Sequence, residues 1–127
     1  MNSSNYVENV KRTESDATPE MIARFSNPET IRLIHGAMGL CTEAGELLDM
    51  IKKHLFYGKK LDFPNAVEEA GDAMWYIGII SDVLKTTLNE IMTINITKLK
   101  TRYPEKFTEY LAENRDLVAE RKILEGK

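Results

Sequence analysis

GLCTEAGELLDMIKKHLFYGKKLDFPNAVEEAGDAMWYIGII, residues 39–80, carries one local pattern twice. Glu43-Ala44-Gly45-Glu46 returns 26 residues later as Glu69-Ala70-Gly71-Asp72. Apolar residues at 34, 37, 38, 41, 44, 48, 51 and 55 keep helical spacing through the first copy, predicting a long helix from about Ile31 to about Phe56. Tyr57-Gly58-Lys59-Lys60 ends it, and the stretch to Pro64 has the length of a connection between antiparallel helices. The second copy opens a further helix, from Asn65 to about Lys85, whose run Ala73–Ile80 is apolar on every side and predicts a buried, central element. The pattern is all-α and its centre is an antiparallel helical hairpin.

Residues at i and i+3 lie about 60° apart around a helix, so each copy presents two carboxylates on one face, one turn apart. If the helices pair, Glu43, Glu46, Glu69 and Asp72 converge. A glycine in a helix interior costs about 1 kcal/mol relative to alanine. Its recurrence at Gly45 and Gly71 predicts that the two backbones approach closely there. Buried carboxylates without partners are costly, and four together raise one another's pKa. A divalent cation relieves both problems. An all-oxygen ligand set selects a hard ion, and Mg²⁺ keeps waters and accepts phosphate oxygens besides its protein carboxylates. The acids therefore point to a phosphorylated ligand as well as a metal.

Outward from this centre, Thr18-Pro19-Glu20 is a helix start with proline at the first position, predicting a short helix to about Phe25, and Asn27-Pro28-Glu29 repeats the signal. Residues 1–17 read as a flexible polar arm. Thr87-Leu88-Asn89-Glu90 is a capping box that opens a helix running to Tyr103, where Pro104 ends it. Residues 18–104 form the predicted catalytic helical domain and 105–127 an amphipathic helical extension. On the helix before Pro104, Asn95, Lys98 and Arg102 share one face. Lys53, with Lys52 beside it, follows Glu46 on the long helix and is a candidate phosphate contact; Lys59 and Lys60 in the loop are further candidates. His35 is a candidate contact to a base or ribose, and Trp75, Tyr76 and Phe56 are candidate stacking residues.

Composition narrows the function classes. Apolar residues are 43% and charged residues 29% of 127, the balance of one globular domain. A net charge of -3 without a basic stripe argues against a nucleic-acid polymer as partner. The polar first sixteen residues and the lack of a long apolar run predict no signal peptide, no membrane span and a cytoplasmic location. The single cysteine, Cys41, reads as a small buried hydrophobe. So apolar a hairpin in so short a chain predicts a homo-oligomer.

The order Gly39-Leu40-Cys41-Thr42-Glu43-Ala44-Gly45-Glu46-Leu47, then Glu68-Glu69-Ala70-Gly71-Asp72-Ala73-Met74-Trp75-Tyr76, resembles the MazG-like nucleotide pyrophosphohydrolases. The spacer of 22 residues between Glu46 and Glu69 fits that family, and Asn95–Pro104 is similar to its closing helix. The resemblance implies a four-helix-bundle-type fold completed by oligomerisation, as a homodimer or homotetramer. It implies hydrolysis of a nucleoside triphosphate to the monophosphate and pyrophosphate. It also implies Mg²⁺, with Mn²⁺ as a substitute, on Glu43, Glu46, Glu69 and Asp72, and nucleotide phosphates facing Asn95, Lys98 and Arg102. Two rivals differ in kind. A di-iron bundle needs Glu-x-x-His pairs, and neither His35 nor His54 forms one. A non-enzymatic dimerisation or adaptor module accounts for the amphipathic helices and leaves the doubled acids unexplained.

Overall fold

The structure, a computed structural model, describes residues 2–126, and these are all-α. They divide into two compact units, one up to Ile31 and one from Arg32 onward.

The first unit holds α1 (Ser3–Thr13), α2 (Pro19–Phe25) and the first residues of α3 (Pro28–Tyr57). Where the sequence predicts a loose arm, α1 forms. Asn2 caps it by accepting from the Asn5 amide at 2.9 Å, and Lys11 and Arg12 occupy the last turn, where the helix dipole favours cations. Polar composition conceals a stripe of Tyr6, Val7 and Val10 at helical spacing. Thr18 caps α2 by accepting from Met21, with Pro19 in the first turn, as the sequence predicts. Asn27 starts α3 by accepting from the amides of Glu29 at 2.9 Å and Thr30 at 3.1 Å.

The second unit holds the rest of α3 with α4 (Phe63–Val83), α5 (Leu88–Arg102), α6 (Glu109–Glu113) and α7 (Leu117–Leu124). Residues 105–126 belong to this second unit. Helices α3 and α4 form the antiparallel hairpin. Arg32 pairs with Asp82 at 2.6 Å, Gly36 faces Ile80, and Gly39 faces the ring of Tyr76, so numbers fall along α4 as they rise along α3. The capping box at Thr87 forms in full: its hydroxyl accepts from the Glu90 amide at 3.2 Å, and Glu90 accepts from the Thr87 amide at 2.8 Å. Helix α5 packs on α4 and on α7. The contact with α7 rests on Glu120, whose carboxylate accepts two bonds from Arg102, at 2.8 and 2.6 Å, and is reached by Arg115 at 2.6 Å.

The close approach lies about one and a half to two and a half turns away from where the repeated glycines predict it. Nothing comes within 4 Å of a Cβ built on Gly45 or Gly71. A Cβ on Gly36 would sit 2.7 Å from Ile80 Cγ1, and one on Gly39 would overlap the Tyr76 ring. Gly39→Ala should therefore destabilise the chain by roughly 2–3 kcal/mol, through overpacking. Gly45→Ala should stabilise it by up to about 1 kcal/mol, through helix propensity. Urea unfolding of the two variants checks this, and a Gly45→Ala loss as large as that of Gly39→Ala would contradict it.

Two expectations about burial are corrected. Cys41 is exposed, and α4 is not buried all round, because Met74 and Trp75 face outward. Val83 is the one large apolar side chain that is buried among the described residues, while Met38, Leu48, Leu55, Phe63 and Val67 all remain exposed. The periodicity correctly marks these faces as apolar, but one chain has too few helices to cover them. No described helix is long and apolar enough to cross a membrane.

Candidate metal centre and the adjoining cleft

The hairpin brings three of the four predicted carboxylates together. One oxygen each from Glu43, Glu69 and Asp72 lies within 4.8 Å of the others. Glu46, one turn beyond Glu43 on α3, stands outside that triangle and lines the cleft beside it with Glu69. Antiparallel pairing explains the arrangement: Glu43 sits at the level of Asp72, and Glu46 at the level of Glu69.

Glu69 is buried, at 6% exposure, Glu43 is half-buried, and Asp72 opens to solvent. Burial, with Glu43 and Glu46 beside it, pushes the Glu69 carboxyl above the usual carboxylate range. The Asn65 amide opposes this by donating to Glu69 Oε1 at 2.9 Å. The Thr42 hydroxyl lies 2.8 Å from the Gly39 carbonyl and 3.2 Å from Glu43 Oε1, and its single proton serves one of these acceptors at a time. Crowded carboxylates with a buried member, all oxygen donors and one side open to solvent, suit a hard divalent cation that retains water. The residues fit such an ion, which would offset the crowding that disfavours charge on Glu69.

Next to the acids is a cleft of about 590 Å³, lined by Glu46, Asp49, Lys53, Lys59, Asn65 and Glu69 among others. Lys53 pairs with Asp49 at 2.6 Å, and Lys52 pairs with the same carboxylate. The two ammonium groups hold the Asp49 carboxyl down to about 2. Sequence reasoning missed Asp49 and Asn65. Each sits one turn from a motif acid, Asp49 at i+3 from Glu46 and Asn65 at i−4 from Glu69, and that helical spacing was the available signal.

On the other side of the acids from the cleft, along the hairpin, His35 meets Tyr76 and Trp75 edge-on, with ring centres 5.6 and 6.3 Å apart. Trp75 and Tyr76 are 5.1 Å apart in the same manner. Asn95, Lys98 and Arg102, the predicted basic face, all lie on α5. Asn95 is exposed and Lys98 half-buried, and neither has an ion pair among the described residues. Arg102 turns to α7, where Glu120 engages its guanidinium at two points. That pair engages Nε and Nη2 and leaves the Nη1 side of the guanidinium outside it.

A carboxylate triangle across a helical hairpin, beside a cleft that lysines help to line, marks an all-α protein with a candidate metal site. The chain matches the MazG nucleotide pyrophosphohydrolase domain over residues 35–107, a span holding all four acids and the cleft, and it belongs to that family. No curated protein and no solved structure gives a significant match.

Proposed function

We propose that the chain hydrolyses nucleoside triphosphates between the α and β phosphorus atoms, releasing a monophosphate and pyrophosphate. The observation that carries this reading is the convergence of Glu43, Glu69 and Asp72 within 4.8 Å beside the cleft. These three, with Glu46 next to them, would hold Mg²⁺, or Mn²⁺ in its place. When bound, such an ion would supply positive charge to the phosphate oxygens and acidify the attacking water. One of the four carboxylates would take the proton from the attacking water, and Glu46, which lines the cleft outside the triangle, is the one this reading favours. Lys53 offers charge to the phosphates once Asp49 releases it. His35, with Trp75 and Tyr76, offers an aromatic edge to the base. Asn95, Lys98 and the unengaged side of Arg102 are the candidates for the nucleotide from α5.

Association accompanies this reading. The exposed Leu48, Leu55, Val67 and Trp75 on the two long helices suit a homodimer or homotetramer in which hairpins from different chains complete four-helix bundles.

A panel of ribo- and deoxyribonucleoside triphosphates, incubated with and without Mg²⁺, tests the reaction. Monophosphate and pyrophosphate are the expected products, formed only with metal. Diphosphate and phosphate as products, or turnover that EDTA leaves unchanged, would refute it.

A further inference from the structure

The loop that joins α3 to α4, Gly58-Lys59-Lys60-Leu61-Asp62, forms one edge of the cleft and is held at both ends. At its root Gly58 takes a φ of +66°, which turns the chain off the end of α3. The Lys59 amide then donates to the Lys53 carbonyl at 3.2 Å. The Lys59 carbonyl lies 2.8 Å from His54 Nδ1, and because a carbonyl only accepts, Nδ1 carries the proton. At the far end Asp62 caps α4 by accepting from the Asn65 amide at 3.2 Å. A loop of five residues tied in this way keeps its two lysines at the rim.

Charge accounting in the cleft singles those lysines out. Glu46, Asp49, Asp62 and Glu69 line it against Lys53, Lys59 and Lys60. Lys53 is already paired with Asp49. Neither Lys59 nor Lys60 has an ion pair among the described residues. A polyphosphate entering between carboxylates needs cations that no carboxylate has taken, and in this cleft these are Lys59 and Lys60. The acids lie toward the middle of the hairpin and the lysines at its loop end, so a chain of phosphates with its reacting bond at the acids runs its outer end to the loop.

We propose that Lys59 and Lys60 grip the outer phosphates of the substrate, the part that leaves as pyrophosphate, and that His54 is the positioning residue that fixes their loop. The proposal rests on the reaction assigned above and adds a substrate rule. Triphosphates bind better than diphosphates or monophosphates, whatever the base, because only they reach the loop.

Titration calorimetry with pyrophosphate in Mg²⁺ buffer tests it, on the wild-type chain, on Lys59→Ala/Lys60→Ala and on Lys59→Arg/Lys60→Arg. Both lysines are exposed, so the alanine pair should fold normally. It should bind pyrophosphate about tenfold more weakly, a loss of about 1.4 kcal/mol. KM for a triphosphate should rise by a similar factor, kcat should change little, and inhibition by the monophosphate should stay the same. The arginine pair should restore binding, and His54→Phe should give a smaller loss of the same kind. Pyrophosphate binding unaffected by the alanine pair overturns the proposal while leaving the reaction intact. A wild-type chain that turns over no triphosphate yet binds pyrophosphate through these lysines overturns the reaction and upholds the loop's role.

Discussion

Glu69→Ala should abolish metal-dependent triphosphate hydrolysis, by roughly a thousandfold or more, because it removes the one buried carboxylate of the triangle. Loss of this ligand takes the inner, desolvated side of the site and leaves Glu43 and the exposed Asp72 facing each other across an opened gap. The same substitution should leave the metal-free chain as stable as the parent or more so. Burial and two neighbouring acids disfavour the charge on Glu69, so its removal relieves that repulsion. Rate of monophosphate release together with urea unfolding in EDTA separates the two effects. A variant that keeps a tenth of the parent rate would sink the assignment of Glu69 as a ligand. A variant inactive only because it is unfolded in EDTA would make the residue structural.

Glu120→Ala should release α7 from α5 and lower the melting temperature by about 10 °C. Glu120 is 3% exposed and holds two guanidinium groups, so its loss leaves Arg102 largely buried without a counter-charge. Hydrogen bonds from Arg102 and then Arg115 hold its carboxyl well below the ordinary 4.5. The folded pKa is depressed, so the stabilisation is complete above the unfolded value and is lost as pH falls below it toward the folded one. Melting curves of wild type and Glu120→Gln should differ by a constant amount between pH 6 and 8, and the gap should begin to narrow only below about pH 4. High salt should do little to this gap, since the pair is shielded from solvent. Equal melting temperatures at pH 7 would show that α7 is held by something other than this carboxylate.

Helix starts were legible wherever the signal is local: Thr18 with Pro19, Asn27, and the capping box of Thr87 and Glu90 all act within four residues of themselves. The doubled acids were legible for the same reason, since spacing along one helix sets the face each pair occupies. The loose arm was misread because the stripe of Tyr6, Val7 and Val10 is narrow and the cap at Asn2 is easily taken for part of a polar tail.

By itself, then, the sequence determined the all-α class, the hairpin and the four acids at its centre, because backbone hydrogen bonding and helical spacing make these properties of contiguous residues. Tertiary structure alone decided that three acids converge with Glu46 beside them, that the backbones close at Gly36 and Gly39, and that Arg102 serves Glu120. Each depends on the register and facing of helices far apart in the chain. A side chain's spacing says which way it points from its own helix, and only packing says what stands there to meet it.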